Sequence, residues 1–268
     1  MVRDKFVRYN NNSLHYAQAG DGDVPMLIFH GFGQDMTVFD FFTRSLARRY
    51  TFYVFDLYFH GASHWAHGES PLGKSVWNET MALFLPENKI ETFAIAGFSL
   101  GAKFVLATLE AFPAKVTDTF LIAPDGISTS FWYSMATYPP ALRKFFKSMI
   151  LRPERFLGLA RFLNKTGLTD PGLIRFAEYQ MNSVEKRNRV YLSWVVFRHL
   201  TFNLSSLAAL INANNIKVTI IVGEYDKVIV PRNVKRFAKK LKLCRLEILP
   251  SGHTGLINQS LPYFVGEG

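Results

Sequence analysis

The spacing of apolar positions changes twice along the chain. Within residues 14–124, short and almost uncharged apolar runs alternate with segments of helical spacing. The runs at 26–30, 52–56, 93–97 and 120–123 are bounded by Gly, Pro or polar residues, as is typical of buried parallel strands. This alternation predicts β-α-β units around a mostly parallel, doubly wound sheet flanked by helices.

Between residues 127 and 215 the apolar positions follow the period of amphipathic helices, with Phe145 and Phe146 on one stripe and Lys144 opposite. The strand pattern then returns at 218–222 and 246–249, on either side of a helical segment near 233–243. The chain is therefore predicted to be one α/β core domain with a helical insert. The predicted bounds are 1–126 and 216–268 for the core and 127–215 for the insert.

The composition supports a folded protein with a large core. Of 268 residues, 49% are hydrophobic, 15% are aromatic and 19% are charged, which excludes intrinsic disorder. The single cysteine, Cys244, excludes an internal disulfide, and the first ten residues lack the apolar segment of a secretory signal. The sequence contains no run of 18 uninterrupted apolar residues, so it predicts no membrane span. We expect a cytoplasmic protein without a transmembrane segment.

The net charge of +10 is concentrated in the insert. Residues 127–210 contain 12 basic and 4 acidic side chains. Such a surplus attracts nucleic acid, anionic lipid or acidic small molecules, but the folded motifs of nucleic-acid binding are absent and we expect no nucleic-acid partner. Two alternatives stay open. Arg143, Arg152 or Arg198 would pair with an anionic substrate, or the insert would make a peripheral contact with an anionic membrane.

Residues 97–101 read Gly-Phe-Ser-Leu-Gly and lie between a predicted strand and a helix predicted at 102–111. In this context Ser99 occupies a sharp strand-to-helix turn that raises its hydroxyl above the sheet. A side chain at Gly97 or Gly101 would collide with the neighbouring strand or helix. The context favours a nucleophilic serine over an ordinary helix N-cap.

Residues 30–33, His-Gly-Phe-Gly, close another predicted strand and bring flexible backbone N–H groups to the same edge of the sheet. Acyl transfer to a serine passes through a tetrahedral intermediate with an oxyanion, which fixed N–H groups stabilise. We expect the N–H groups of Phe32 and Leu100 to form this oxyanion hole, and His30 to order the loop.

A serine nucleophile also needs a base and a carboxylate that orients it. His253 follows the last predicted strand, and Asp226 follows the strand before it. Asp125, at the end of the strand at 120–123, is the alternative acid, although an aspartate there also suits a turn.

Together these motifs resemble the α/β-hydrolase superfamily over residues 14–265. Residues 226–231 are similar to the acid loop of that family, and residues 56–63 to its loop after strand four. The resemblance implies a Ser-Asp-His triad, and a helical cap inserted after strand six that covers the active site and shapes the substrate pocket. One departure is Phe59, which stands where members commonly have Gly and leaves open a different path for the loop.

The resemblance therefore implies a serine hydrolase that cleaves a small acyl compound, a carboxylic ester before a thioester. The many cap aromatics favour an apolar or aryl acyl group. Cleavage of a carbon–carbon bond is one alternative, because capped relatives with this triad perform it. A non-catalytic receptor for a small ligand is the other.

His60, His64 and His67 also suggest a metal site by their proximity in sequence. Two glycines disfavour a regular helix there, and no second carboxylate joins Asp56 at a matching spacing. We expect neither a metal nor an organic cofactor.

Overall fold

The computed structural model describes residues 3–127, 131–156, 158 and 178–265, and within them eight strands form one sheet. The strands are β1 (Arg3–Tyr9), β2 (Asn12–Ala19), β3 (Val24–Phe29), β4 (Tyr50–Phe55), β5 (Phe93–Phe98), β6 (Val116–Ile122), β7 (Lys217–Gly223) and β8 (Cys244–Leu249). Their spatial order is β1-β2-β4-β3-β5-β6-β7-β8, in which β2 pairs antiparallel with β1 and β4 and all other neighbours are parallel. The mostly parallel sheet is therefore confirmed.

Six of these strands coincide with the predicted apolar runs, whereas the hairpin of β1 and β2 was not predicted. Its turn contains Asn10 and Asn11 at φ angles of 49° and 61°. Two consecutive residues in this left-handed region are the mark of a tight hairpin turn, which asparagine tolerates better than most residues. The asparagine pair was the signal in the sequence.

Helices follow most of the parallel strands, as the alternating pattern predicted. Two residues separate β5 from the helix α3 (Gly101–Ala111), and the helix predicted near 233–243 is α8 (Pro231–Ala238), which begins at a proline. Proline suits a first helical turn because its fixed φ is helical and it lacks only an N–H that has no partner there. The helices are α1 (Asp40–Ser45), α2 (Lys74–Glu87), α3 (Gly101–Ala111), α4 (Phe131–Thr137), α5 (Pro140–Leu151), α6 (Val184–Val196), α7 (Leu204–Ala213), α8 (Pro231–Ala238) and α9 (Leu256–Gln259).

Aromatic side chains fill the core between the sheet and the helices α2 and α3. Phe29 of β3 stacks on Phe55 of β4 at 4.9 Å between ring centroids, and Trp77 of α2 packs against Phe104 of α3 at 4.9 Å. The indole N–H of Trp77 donates to the Thr108 hydroxyl at 3.0 Å, so its one polar atom is satisfied while buried. This packing fixes α3 against the sheet and thereby fixes the start of α3.

The chain divides into two compact units. The first comprises Met1–Ala66, Gly73–Ser128 and Leu200–Gly268 and contains the whole sheet. The helix α7 belongs to this unit, although the sequence interpretation extended the insert to 215. It buries Leu207, Ala208 and Ile211 and packs near α3.

The second unit comprises His67–Leu72 and Thr129–His199 and contains α4, α5 and α6. Its apolar core is formed by Phe146, Ile150, Met181, Tyr191 and Val195. Part of the predicted insert, residues 128–130, 157 and 159–177, lies outside the described residues. The role of this unit as a cap stays a prediction. In the described part of the chain, no single helix is long and apolar enough to cross a membrane.

Candidate active site

Ser99 lies in the sharp turn between β5 and α3 with a φ of 49°, in the left-handed region. Its N–H donates to the Ile122 carbonyl at 2.9 Å. A Cβ on Gly97 would lie 2.7 Å from the Gly101 carbonyl carbon, and one on Gly101 would lie 2.2 Å from the Phe29 carbonyl oxygen. The flanking glycines are therefore required by close backbone contacts, as the sequence predicted.

His253 links the Ser99 hydroxyl to the Asp226 carboxylate. Its Nε2 lies 3.0 Å from Ser99 Oγ, and its Nδ1 lies 2.7 Å from Asp226 Oδ2. Because a carboxylate can only accept, Nδ1 carries a proton and donates a hydrogen bond to Asp226. In the neutral ring Nε2 is then the free base that faces the serine. The fold thus brings together the three side chains that were predicted from three different strand ends.

The Asp226 carboxylate is fixed from two sides. Its side chain is fully buried, and its Oδ1 accepts the N–H groups of Val228 and Ile229, both at 2.8 Å. Burial alone would raise the pKa of Asp226, but the hydrogen bond from His253 and those from the two backbone N–H groups lower it below its ordinary value. The carboxylate therefore stays ionised at neutral pH and orients the imidazole.

Asp125, the alternative acid, lies in another set of contacts. Its Oδ1 accepts the Gly126 N–H at 2.7 Å, and its Oδ2 lies 3.5 Å from the Lys103 ammonium. Its own N–H donates to the Ser99 carbonyl at 3.1 Å. Asp125 thus ties the loop after β6 to the backbone of the Ser99 turn, and the geometry gives Asp226 the place beside His253.

The two predicted oxyanion donors follow two strands that are neighbours in the sheet, β3 and β5. The β3 loop, residues 30–34, contains Phe32, and Leu100 immediately follows Ser99. Within the described part of the chain, neither backbone N–H donates a hydrogen bond, although neighbouring backbone groups do. Two unengaged N–H groups, one of them on the residue that follows Ser99, fit the requirement for anion stabilisation.

The loop after β4 is organised by a buried aspartate. Asp56, 2% exposed, accepts the N–H groups of Met36 and Ala62 and pairs with Nδ1 of His15 at 2.8 Å. Phe59 has a φ of 70°, so it adopts the left-handed conformation that glycine commonly supplies at this place.

His60 follows Phe59 and makes two hydrogen bonds that the sequence did not predict. Its Nε2 accepts the Gly33 N–H at 3.0 Å and its Nδ1 lies 3.0 Å from the Tyr58 carbonyl oxygen. Both ring nitrogens therefore bond to backbone groups. Among the described residues, no three or more His, Cys, Asp or Glu side chains are grouped so that they could hold a metal ion.

A family model and several solved structures agree on the fold of this chain. A family model described as alpha/beta hydrolase fold matches residues 24–259. The search of curated proteins gave no match. Among solved structures, an esterase from Thermogutta terrifontis has a TM-score of 0.70 at 16% identity, covering 99% of this chain and 95% of that one.

Two further solved structures have a similar fold. A hydrolase from Pseudomonas aeruginosa PA01 has a TM-score of 0.67 at 19% identity and covers 99% of both chains. An enol-lactonase from Burkholderia xenovorans LB400 has a TM-score of 0.67 at 14% identity, covering 97% of this chain and 98% of that one. At these identities the likeness shows the fold.

Proposed function

Because the chain belongs to the α/β-hydrolase fold family, we propose that it is a serine hydrolase that cleaves an acyl compound through a covalent acyl-enzyme. The observation that carries this proposal is the continuous hydrogen-bond chain from Ser99 through His253 to Asp226. It joins a hydroxyl, a base and a buried carboxylate in the order that acyl transfer requires.

The proposed reaction follows from this geometry. Ser99 Oγ attacks the substrate carbonyl carbon while His253 Nε2 takes the hydroxyl proton. The carbonyl electron pair moves to the oxygen, and the N–H groups of Phe32 and Leu100 stabilise the resulting oxyanion. When the oxyanion collapses, the bond to the leaving group breaks and His253 protonates that group. Water, deprotonated by His253 Nε2, then attacks the acyl carbon and forms a second oxyanion. When this oxyanion collapses, the bond from the acyl carbon to Ser99 Oγ breaks, His253 returns the proton to Oγ and the acid is released.

We propose a carboxylic ester as the substrate class, with a thioester second. The structural neighbours include proteins described as an esterase, a thioesterase domain and an enol-lactonase. Esters, thioesters and lactones all contain a carbonyl carbon bonded to a leaving group that a serine can displace. Hydrolysis of a carbon–carbon bond would use the same three side chains and is the alternative reaction.

The distribution of charge along the chain favours a substrate with an anionic group. Residues 127–210 contain 12 basic and 4 acidic side chains. A surplus of positive charge attracts carboxylates and phosphates and raises their local concentration. We therefore include an anionic group in the proposed substrate.

A panel of nitrophenyl esters of graded acyl length tests the proposed activity. We expect the wild-type protein to hydrolyse at least part of the panel, and Ser99→Ala to lower turnover by about 10⁴- to 10⁶-fold, because the nucleophile is removed. Ser206→Ala, an exposed serine at the start of α7, is the matched control and should retain wild-type turnover.

The panel also distinguishes the alternatives. Equal turnover by Ser99→Ala and wild type would contradict the acyl-enzyme. A folded wild-type protein that binds an ester without cleaving it would be a receptor rather than an enzyme.

A further inference from the structure

The β3 loop, residues 30–34, is held by hydrogen bonds on both sides of Phe32. On one side, the Gly31 carbonyl oxygen lies 2.7 Å from Nδ1 of His30, and the Gly31 N–H donates to the Gln34 side chain at 2.9 Å. On the other side, the Gly33 N–H donates to Nε2 of His60 at 3.0 Å. The peptide groups before and after the Phe32 Cα are thus both fixed.

The protonation of His60 follows from the direction of these bonds. The Gly33 amide can only donate, so His60 Nε2 must be an unprotonated acceptor. The neutral ring then has its proton on Nδ1, which donates to the Tyr58 carbonyl oxygen at 3.0 Å. His60 therefore bridges the loop after β4 and the β3 loop through two backbone groups.

His60 is well placed for this bridging role. It is 1% exposed, so water does not compete for either bond. Its ring packs edge-on against Phe32 at 5.7 Å between centroids and lies 5.1 Å from His30. His30 is fixed in the same tautomer, because its Nε2 accepts the Leu57 N–H at 3.0 Å.

We propose that His60 is a positioning residue, which holds the β3 loop so that the Phe32 N–H is directed at the oxyanion formed on a Ser99-bound substrate. This inference rests on the proposed serine-hydrolase function. His60 then contributes to stabilising the transition state, because the loop is held before substrate binds and does not reorganise when the oxyanion forms.

Two conservative variants separate positioning from mere packing. The amide of Gln reaches the place of Nε2, so His60→Gln keeps an acceptor for the Gly33 N–H. The amide of Asn reaches the place of Nδ1, so His60→Asn keeps a donor for the Tyr58 carbonyl and loses that acceptor. The control is His64→Gln, an exposed histidine in the same loop.

We expect His60→Asn to lower kcat by about 10- to 100-fold with KM within about twofold, part of the loss seen when an oxyanion donor is removed. His60→Gln should stay within about threefold of wild type, and His64→Gln should match it. Inhibition by phenylboronic acid, whose serine adduct carries a tetrahedral oxygen, should weaken in His60→Asn by the same factor as kcat/KM.

Equal activity of the two His60 variants, or loss in KM with unchanged boronate inhibition, would overturn the inference. A second test uses the wild-type protein and therefore does not depend on the folding of a variant. Nitrogen-15 NMR of labelled histidines should show His60 protonated at Nδ1 and unprotonated at Nε2, and the opposite tautomer would refute the bridge. Activity that depends on Ser99 but not on His60 would reject the positioning role alone, whereas an inactive wild type would reject the proposed function.

Discussion

Asp226 shows how one side chain is prepared for its role by its surroundings. The carboxylate is removed from water, which opposes ionisation, yet three hydrogen bonds favour the charged form and prevail. The lowered pKa of Asp226 means that the folded protein binds the carboxyl proton more weakly than the unfolded chain does, so the ionised form stabilises the fold. Folding and the orientation of His253 therefore depend on the same charge.

This linkage predicts a pH-dependent loss of stability. Because the folded-state pKa is below the unfolded one, the stabilisation by Asp226 is complete above the ordinary carboxyl range, near pH 4, and is lost as the pH falls through the lowered pKa. The difference in unfolding free energy between wild type and Asp226→Asn should therefore be larger at pH 7 than at pH 3. Urea unfolding at both pH values measures it.

Ser206→Ala, which removes no titrating group, serves as the control and should give a difference independent of pH. A difference between wild type and Asp226→Asn that grows on acidification would contradict the account of this carboxylate.

The three side chains of the candidate site were predictable from the sequence. Ser99, Asp226 and His253 each follow a strand that the apolar pattern marks, so their shared edge of the sheet was predictable. The bridge by His60 was not, because its partner is the backbone N–H of Gly33, 27 positions away in another loop. A backbone donor leaves no mark in the sequence.

At the scale of elements, the turn between β5 and α3 is the most constrained connection. Gly101, the first residue of α3, faces the backbone of β3, and a Cβ there would lie 2.2 Å from the Phe29 carbonyl oxygen. Neither element can move away, since α3 is packed on the sheet through buried Phe104 and Val105. The close approach of helix and strand is what lifts Ser99 above the sheet.

Gly101→Ala should therefore destabilise the protein by about 1 to 3 kcal/mol, the usual cost of forcing a side chain into a packed core. Gly73→Ala is the matched control, because a Cβ there meets only the Ser75 hydroxyl, at 3.5 Å. Chemical unfolding of both variants measures the effect. Equal stability of Gly101→Ala and wild type would show that the contact between α3 and β3 relaxes freely.

The elements themselves divide into predictable and unpredictable by their burial. Strands buried on both faces, such as β5, are continuous apolar runs and were found from the sequence. The edge strand β1, Arg-Asp-Lys-Phe-Val-Arg-Tyr, is mostly polar because one side of it has no neighbouring strand. Its pairing with β2 is set by the Asn10-Asn11 turn, a short signal that apolar periodicity does not detect.

At the scale of the whole molecule, the parallel sheet makes the site. The carboxyl ends of β5, β7 and β8 share one edge, which brings Ser99 and His253 together across 154 positions of sequence. The chain carries a net charge of +10, and the largest concentration of basic residues falls in the part of the sequence that contains Arg198. A field of one sign raises the local concentration of oppositely charged substrates.

If the natural substrate is anionic, added salt should slow its association with the protein. We expect kcat/KM for a carboxylate-bearing nitrophenyl ester to fall severalfold between low and high ionic strength, because added ions screen the attraction. A neutral ester of equal length is the control and should change little. Indifference of both esters to salt, with a preference for the neutral one, would remove the anionic substrate from the proposal.

Labelling with a fluorophosphonate tests the central claim most directly, since the probe reacts only with a serine that a neighbouring base activates. We predict that the folded wild-type protein forms an adduct on Ser99, located by mass spectrometry, that His253→Ala abolishes it, and that Asp226→Asn slows it about 10⁴-fold while Asp125→Asn does not. A folded protein left unlabelled, or labelled equally fast without His253, would contradict the account.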